Sequence, residues 1–214
     1  MKKIGVVGSG LVGKTLAEGF LGFGHEVMRG SRDGKKLDDW KASASPKAST
    51  GTFAETARFG DVVVLAVKGG AAESAVALCA DALDGKLVLD TTNPIAEAPP
   101  ENGVLRFFTA QNESLMERLQ AKTPKARFVK CFSCVGSAFM VKPDFGGQKP
   151  TMFICGNDPK ARAETTEILT TFGWETEDLG SARSAGAIES LCMLWCIPGL
   201  QSNKWNHAYK VLKK

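Results

Sequence analysis

The sequence predicts an α/β fold with a doubly wound, mostly parallel sheet and a small C-terminal α/β extension packed on it. Apolar segments of strand length alternate with helical segments from residue 2 to residue 132, and this alternation requires crossovers between parallel strands. The segment DVVVLAV at 61–67 is continuously apolar and rich in β-branched residues, as expected of a strand that helices cover on both faces. A glycine-rich turn also joins the first predicted strand directly to the first predicted helix.

The predicted elements follow from local patterns along the chain. In the first predicted helix, Leu11, Leu16 and Phe20 lie on one side. The predicted strands are 2–7, 25–29, about 51–53, 61–67, 86–90, 127–132, 151–156 and 174–178. The predicted helices are 11–23, 33–44, 71–83, 112–121, 158–172, a segment from 184 to Pro198 and a further segment beyond it. A Pro/Gly-rich loop at 142–150 marks the change to the C-terminal part, and no linker separates the two parts.

Composition favours a globular protein that binds a small molecule. The 214 residues are 43% apolar and 23% charged, and the net charge of +4 comes from basic residues interleaved with acids. This pattern argues against nucleic-acid binding, and an anionic small ligand suffices to explain a local basic cluster. The chain passes at once into a strand without a signal peptide, and the apolar run 191–200 is about half a membrane span. A cytoplasmic protein with no membrane partner is expected.

The cysteines are expected to be thiols without a metal or redox role. Cys131 and Cys134 form a CxxC motif inside an apolar predicted strand, whereas redox motifs of this kind usually open a helix. No second CxxC motif or neighbouring histidine completes a zinc site. Cys192 and Cys196, at helical spacing, are likewise expected to be buried thiols.

A G-x-G-x-x-G motif, Gly8 to Gly13, stands between the first strand and the first helix. Gly8 permits the tight turn, Gly10 leaves room for a pyrophosphate, and Gly13 lets the helix pack closely on the strand. The free N–H groups of the first helical turn, together with the helix dipole, favour phosphate binding. The motif therefore predicts a Rossmann-type dinucleotide site.

The residues after the second strand favour NADP(H) over NAD(H). An acidic residue at this place binds the adenine ribose in NAD-dependent proteins and would repel a 2′-phosphate. Here no acid occurs before Asp33, and the chain supplies Ser31, Arg32 and Lys36, a hydroxyl and two cations that suit a phosphate dianion. Arg29 is expected either to contribute or to be a solvated surface charge. Lys35 is expected to be exposed.

Two later strand ends are expected at the same crevice, because ligands bind beyond the carboxyl ends of such strands. Lys68 follows the strand at 61–67, and the turn Thr91–Thr92–Asn93–Pro94 follows the strand at 86–90. Its hydroxyl and amide groups suit the nicotinamide carboxamide and ribose, although an ordinary turn has the same composition. We therefore predict an NADP-binding Rossmann domain at 1–140 and a smaller substrate or dimerisation part at 141–214 that is not independent.

Motifs spread over nearly the whole chain resemble the NADPH-dependent F420 reductase family, whose fold also forms the reductase domain of the STEAP metalloreductases. The motifs are GSGLVGKTLA, GHEV with GSR, DVVVLAV, LDTTNP, VKCFSCVGS, PDFGGQKPTMFICG and AIESLCMLW. The resemblance implies hydride transfer between NADPH and a deazaflavin (coenzyme F420) or flavin, in a homodimer without a metal. It implies that Gly8, Ser9, Gly10, Leu11 and Val12 form the pyrophosphate turn, that Ser31, Arg32 and Lys36 bind the 2′-phosphate, and that Val67, Lys68, Thr92, Asn93 and Pro94 lie near the nicotinamide.

The resemblance leaves the acceptor open. Ser133 and Gly136 stand where deazaflavin enzymes of the family carry histidine and proline. Hydride transfer between two rings requires orientation and exclusion of water but no acid or base, so no catalytic residue is assigned. His25, placed on the adenine side, and His207 are expected to be structural or solvated. Alternatives are a non-enzymatic NADPH sensor and a reductase of the pyrroline-carboxylate or β-hydroxyacid type, which needs a large helical C-terminal domain.

Overall fold

The computed structural model describes the backbone of residues 1–214 and the side chains at all positions except 34 and 35. The strands are β1 (Lys3–Val7), β2 (Glu26–Gly30), β3 (Ala48–Gly51), β4 (Val62–Leu65), β5 (Leu87–Asp90), β6 (Arg127–Lys130), β7 (Thr151–Ile154) and β8 (Glu175–Asp178). The helices are α1 (Leu11–Gly22), α2 (Asp38–Ser43), α3 (Phe53–Phe59), α4 (Gly69–Cys79), α5 (Leu115–Lys122), α6 (Pro159–Phe172) and α7 (Ala185–Ser202). Within the part of the chain so described, no helix has the length and apolar character needed to cross a membrane.

The main sheet has six parallel strands in the order β3-β2-β1-β4-β5-β6. The chain runs outward from β1 to one side and then returns to β4 on the other side, which opens a crevice where the order reverses. In the register, Val7 pairs with Gly30 of β2 and with Leu65 of β4. The segments that follow these three residues therefore emerge together at the carboxyl edge of the sheet.

Helices cover both faces of the sheet, and the sheet is therefore doubly wound. On one face, Leu16 and Phe20 of α1 share a core with Phe172 of α6 and with Trp174. On the other face, residues of α3, α4 and α5 share a core with Ile188 of α7. The predicted α/β architecture is confirmed.

The C-terminal part forms a second, two-stranded parallel sheet of β7 and β8. The Lys130 amide joins it to β6 by donating to the Cys155 carbonyl at 2.9 Å. The last residues run along β7, where the Thr151 amide donates to the Tyr209 carbonyl at 2.8 Å. Because Met152 and Leu169 belong to the same core as α1, the extension packs on the sheet. The division at residue 140 stays a prediction.

Several predicted elements differ from the structure. The strand predicted at 127–132 ends at Lys130, so Cys131 and Cys134 lie beyond it rather than inside it. The third strand is β3, at Ala48–Gly51 rather than near 51–53, because Thr52 and Glu55 form a capping box that starts α3. The helix expected from residue 112 begins only at Leu115. Pro198 was expected to end a helix, but α7 continues to Ser202 and residues 203–214 are not helical. Pro198 lacks the N–H that would donate to the Leu194 carbonyl, and α7 ends about one turn after it.

Candidate functional site

A cavity of about 580 Å³ opens at the carboxyl edge of the sheet, where β1, β2 and β4 end. Its lining residues are Ser9, Gly10, Ser31, Arg32, Asp33, Lys36, Phe53, Ala66, Val67, Lys68, Ala71 and Ser74. Seven of these were predicted as site residues from the sequence, namely Ser9, Gly10, Ser31, Arg32, Lys36, Val67 and Lys68. The structure thus brings the pyrophosphate turn, the 2′-phosphate candidates and the end of β4 around one space. We call it the nucleotide cavity.

The glycines of the turn have the geometry that the motif predicts. Gly8 has φ of +146°, and a Cβ there would overlap the Ala66 carbonyl oxygen. A Cβ at Gly13 would lie 2.6 Å from the Gly8 oxygen, so α1 packs closely on the turn. A Cβ at Gly10, in contrast, would contact no described atom within 4 Å. Gly10 therefore borders open space, as a residue beside a bound pyrophosphate requires.

The N-terminus of α1 is available to an anion. Gly10 is its N-cap, no described side chain caps it, and its first turn contains no acidic residue. The N–H groups of the first turn, which include those of Leu11 and Val12, have no partner within the helix. Their alignment with the helix dipole favours a negatively charged group at this end.

The candidates for the 2′-phosphate lie together beyond β2. Ser31 is buried, and its hydroxyl donates to the Asp33 carbonyl. Arg32 and Lys36 are exposed, and neither forms an ion pair with a side chain that the structure describes. The Asp33 carbonyl also accepts from the Lys36 amide at 3.2 Å. The Lys35 side chain lies outside the described ones.

Arg29 fits neither role expected for it. It is only 2% exposed and does not line the nucleotide cavity. The alternation along β2 turns it toward the face covered by α1, where its Nη2 donates to the Gly10 carbonyl at 3.2 Å. Its guanidinium lies 4.7 Å from the ring centroid of Trp40. Arg29 is thus a buried cation beneath the glycine turn.

The turn after β5 is tightly organised but does not line the nucleotide cavity. The Asp90 carboxylate accepts from the Thr92 amide at 2.9 Å and from the Thr92 hydroxyl at 2.7 Å. The Asn93 side chain donates to the Ser133 carbonyl at 3.3 Å. Asn93 Oδ1 and Ser133 Oγ are buried and find no partner among the described residues. The proximity of Thr92, Asn93 and Pro94 to a nicotinamide stays a prediction.

Gly69 holds the start of α4 against this turn. A Cβ at Gly69 would overlap the Asn93 carbonyl oxygen, whereas a Cβ at Gly70 would contact nothing within 4 Å. We expect Gly69→Ala to destabilise the protein by about 1–3 kcal/mol because backbone atoms must move. Gly70→Ala, the matched control, should be neutral or stabilise by up to about 1 kcal/mol. Urea unfolding of both variants measures this, and equal stabilities would show that the contact is not tight.

A buried charge cluster beneath the turn was not predicted. Lys130 is fully buried, and its Nζ lies 2.7 Å from Asp90 Oδ2, 2.9 Å from Glu189 Oε1 and 2.7 Å from the Thr92 carbonyl oxygen. Glu189 also accepts from the amides of Leu115 and Met116. Burial lowers the pKa of Lys130, but Asp90 and Glu189 outweigh it and leave that pKa raised, so the lysine is charged. Charged residues within the apolar segments KLVLD and RFVKCF were the available signal.

The geometry can be compared with known proteins. Residues 3–94 match the family described as NADP oxidoreductase coenzyme F420-dependent. The predicted family resemblance is confirmed. The chain is 29% identical to a candidate F420-dependent NADP-reductase of Arthrobacter sp. FB24, which it matches over 100% of both chains with a TM-score of 0.90. It is 27% identical over 203 residues to metalloreductase STEAP3 of Rattus norvegicus, covering 92% of this chain and 38% of STEAP3.

The chain therefore spans little more than a third of STEAP3. The Streptomyces aurantiacus imine reductase is 16% identical with a TM-score of 0.61, covering 90% of this chain and 59% of that one, and this likeness shows the fold alone. The descriptions of the matching family and of the Arthrobacter protein both name NADP, and STEAP3 and the imine reductase are also reductases by name.

Gly136, where the resemblance implied a difference from the deazaflavin enzymes, lies in a cluster of aromatic rings. Gly136 lies against Trp195, and a Cβ at Gly136 would be 2.9 Å from Trp195 Cη2. The centroid of the Trp195 ring lies 5.4 Å from that of Trp205 and 5.2 Å from that of His207. A cavity of about 510 Å³ adjoins these rings, lined by Gly136, Ser137, Ala138, Phe139, Trp195, Asn203, Trp205 and Asn206. We call it the aromatic cavity; the sequence did not predict it, because its residues lie far apart along the chain.

The cysteines are the buried thiols that the sequence predicted. Burial raises the pKa of Cys134 to about 12 and that of Cys131 well above its usual value, and both are free thiols. Cys192 is also buried and Cys196 half-buried. These pKa shifts leave Cys131 and Cys134 protonated and unreactive at neutral pH.

His25, which was expected on the adenine side, does not lie near the nucleotide cavity. His25 precedes β2 and lies at the amino edge of the sheet, opposite the nucleotide cavity, so its placement on the adenine side was wrong. Its Nδ1 accepts from the Lys2 amide at 3.2 Å, and its ring meets Phe20 edge-on. This is a structural role, as expected. His207 stacks on Trp195, and its carbonyl accepts from Trp195 Nε1 at 2.9 Å.

Proposed function

We propose that the protein is an NADPH-dependent oxidoreductase that transfers hydride between NADP(H) and a deazaflavin, such as coenzyme F420, or a flavin-like acceptor. The observation that carries the proposal is the composition of the nucleotide cavity. Ser31, Arg32 and Lys36 line one part of it, and the N-cap of α1 lines another. Three cations line the cavity, Arg32, Lys36 and Lys68, against one carboxylate, Asp33. A dinucleotide with a 2′-phosphate matches both parts, because each favours a phosphate.

The residues present fit this dinucleotide. The open space at Gly10 and the free N–H groups of Leu11 and Val12 suit a pyrophosphate. The hydroxyl of Ser31 and the cations of Arg32 and Lys36 suit the 2′-phosphate. Gly8 and Gly13 permit the close packing of turn, strand and helix that holds the N–H groups in place.

The nicotinamide would lie beyond β4 and β5. Asn93 Oδ1 and Ser133 Oγ are buried polar atoms without a described partner, and such atoms suit a carboxamide. When bound, NADPH supplies the hydride from its nicotinamide ring and becomes NADP⁺. The chain's own part is to bind the nucleotide, to orient its ring and to exclude water from the transfer. These roles need no acid or base from the protein.

The aromatic cavity is our candidate for the acceptor site. Part of its lining, residues 136–139, follows β6 in the chain. The Asn93 side chain donates to the Ser133 carbonyl, which lies just before this segment. The cavity lining includes Phe139, Trp195 and Trp205 and contains no charged side chain. A flat, largely apolar ring is the ligand that such a surface favours.

An acceptor screen tests the proposed activity. NADPH oxidation is followed by absorbance with a deazaflavin, FMN and a ferric chelate offered separately, and with NADH as the matched nucleotide. We expect turnover of a ring acceptor with NADPH and far less with NADH. Tight NADPH binding without turnover of any acceptor would contradict the proposal and favour a non-enzymatic NADPH sensor.

We also propose that the protein forms a homodimer and has no nucleic-acid or membrane partner. The helix α7 is apolar on most of its surface, yet Leu194 and Leu200 are 53% and 39% exposed. A helix of this composition is normally covered on all sides, and a second copy of α7 would cover these side chains.

A further inference from the structure

We propose that Arg29 is a positioning residue for the pyrophosphate of the dinucleotide, acting through the peptide unit that joins Gly10 to Leu11. The inference rests on the proposed function, since it concerns the same nucleotide. It assigns a role to a buried cation that does not line the nucleotide cavity.

Arg29 carries a charge that no described residue neutralises. The side chain is only 2% exposed and belongs to no ion pair among the described side chains. Its Nε is buried without a partner, and its contacts are the Gly10 carbonyl and the face of Trp40. Burial lowers its pKa, which is opposed only by the more distant Glu18. Arginine is rarely buried in this way without a counter-charge.

The bond from Arg29 reaches the peptide unit that matters most for anion binding. The Gly10 carbonyl and the Leu11 N–H belong to one peptide, and this N–H is the first of the free donors of α1. The same carbonyl also accepts the first helical bond from the Lys14 amide at 3.0 Å. A charged donor on the carbonyl polarises the peptide and makes its N–H a stronger donor on the opposite side.

The two effects act in the same direction on a bound pyrophosphate. The guanidinium fixes the orientation of the Gly10–Leu11 peptide. Because Arg29 is buried and its charge is poorly screened by water, it attracts a nearby anion more strongly than an exposed cation would. Direct contact with the 2′-phosphate is a different role, which the structure does not favour because Arg29 does not line the nucleotide cavity. A role in packing alone would leave the unpaired charge without a function.

Two substitutions separate these roles. Arg29→Met keeps the length and apolar contact but removes the charge, and Arg29→Lys keeps the charge without the guanidinium. We expect Arg29→Met to lower the affinity for NADPH and the affinity for NADH alike, by roughly tenfold or more. Arg29→Lys should recover part of this loss. Affinity for adenosine 2′-monophosphate, which has no pyrophosphate, should change little. Calorimetry on the full chain gives these affinities.

The melting temperature of the ligand-free protein completes the test. Because a buried unpaired charge destabilises a fold, Arg29→Met should melt no lower than the unmodified protein. Arg58→Met, at an exposed arginine of α3, is the matched control and should alter neither affinity nor melting. Failure of Arg29→Met to fold, or lower melting with unchanged affinities, would overturn the inference in favour of packing. A loss of affinity for NADPH but not for NADH would also overturn the inference, because it would indicate direct contact between Arg29 and the 2′-phosphate.

The same titrations distinguish this inference from the proposed function. An unmodified protein that binds neither dinucleotide would contradict the proposed function, and the inference with it. An unmodified protein that binds NADPH, together with an Arg29→Met variant of equal affinity, would contradict the inference alone.

Discussion

Lys130→Met is expected to destabilise the protein by about 3–5 kcal/mol, because it leaves two buried carboxylates without their cation. Asp90 and Glu189 are, like Lys130, almost completely buried, so water cannot replace the lost charge. The Thr92 carbonyl loses its donor at the same time. Because the cluster joins β5, β6, α5 and α7, the loss should appear as a lower free energy of global unfolding, measured with urea.

Lys125→Met is the matched control for this prediction. Lys125 forms an ion pair of 3.0 Å with Asp84, but its side chain is 77% exposed. Exposed pairs of this kind contribute about 1 kcal/mol or less, so the control should unfold close to the unmodified protein. Similar small losses in both variants would show that the Lys130 cluster is not a significant source of stability.

Arg32→Asp is expected to weaken NADPH binding by about 2–4 kcal/mol more than NADH binding. The substitution removes a cation from the wall of the nucleotide cavity and places a carboxylate where a 2′-phosphate would lie. NADH lacks this phosphate, and the new carboxylate can accept hydrogen bonds from its ribose hydroxyls. Fluorescence or calorimetric titration with both nucleotides measures the difference.

Lys14→Asp controls for the overall change in charge. Lys14 lies on α1, is half exposed, pairs weakly with Glu18 and does not line the nucleotide cavity. Reversing the charge at residue 14 should change the affinities for NADPH and NADH equally and only slightly. Salt should screen this long-range effect. An equal loss of affinity for NADPH and NADH in Arg32→Asp would rule out the 2′-phosphate assignment.

The parts of the fold that could be predicted depend on local sequence. The glycine turn, the segment DVVVLAV and the group Ser31–Arg32 each carry their information within a few residues. Since parallel strands end at one edge, the alternation of elements was enough to predict that these segments meet. The nucleotide cavity confirms that seven of the predicted residues lie together, although their contacts with a nucleotide stay predictions.

The features that could not be predicted depend on contacts between distant segments. Glu189 joins Lys130 only because α7 packs against α5, and Gly136 meets Trp195 for a similar reason. Arg29 was expected either to contribute to the 2′-phosphate site or to be a solvated surface charge, because it is a strand residue two positions before Ser31. Its burial follows from the side of β2 that α1 covers, which a single strand does not reveal.

The most direct test of the 2′-phosphate assignment is a crystal structure of the protein with NADP⁺. We expect the 2′-phosphate within hydrogen-bonding distance of Arg32 and Ser31, with the Lys36 ammonium nearby, and the pyrophosphate at the N-terminus of α1. A bound NADP⁺ whose 2′-phosphate lay away from these residues, with Arg32 and Lys36 turned to solvent, would contradict the assignment.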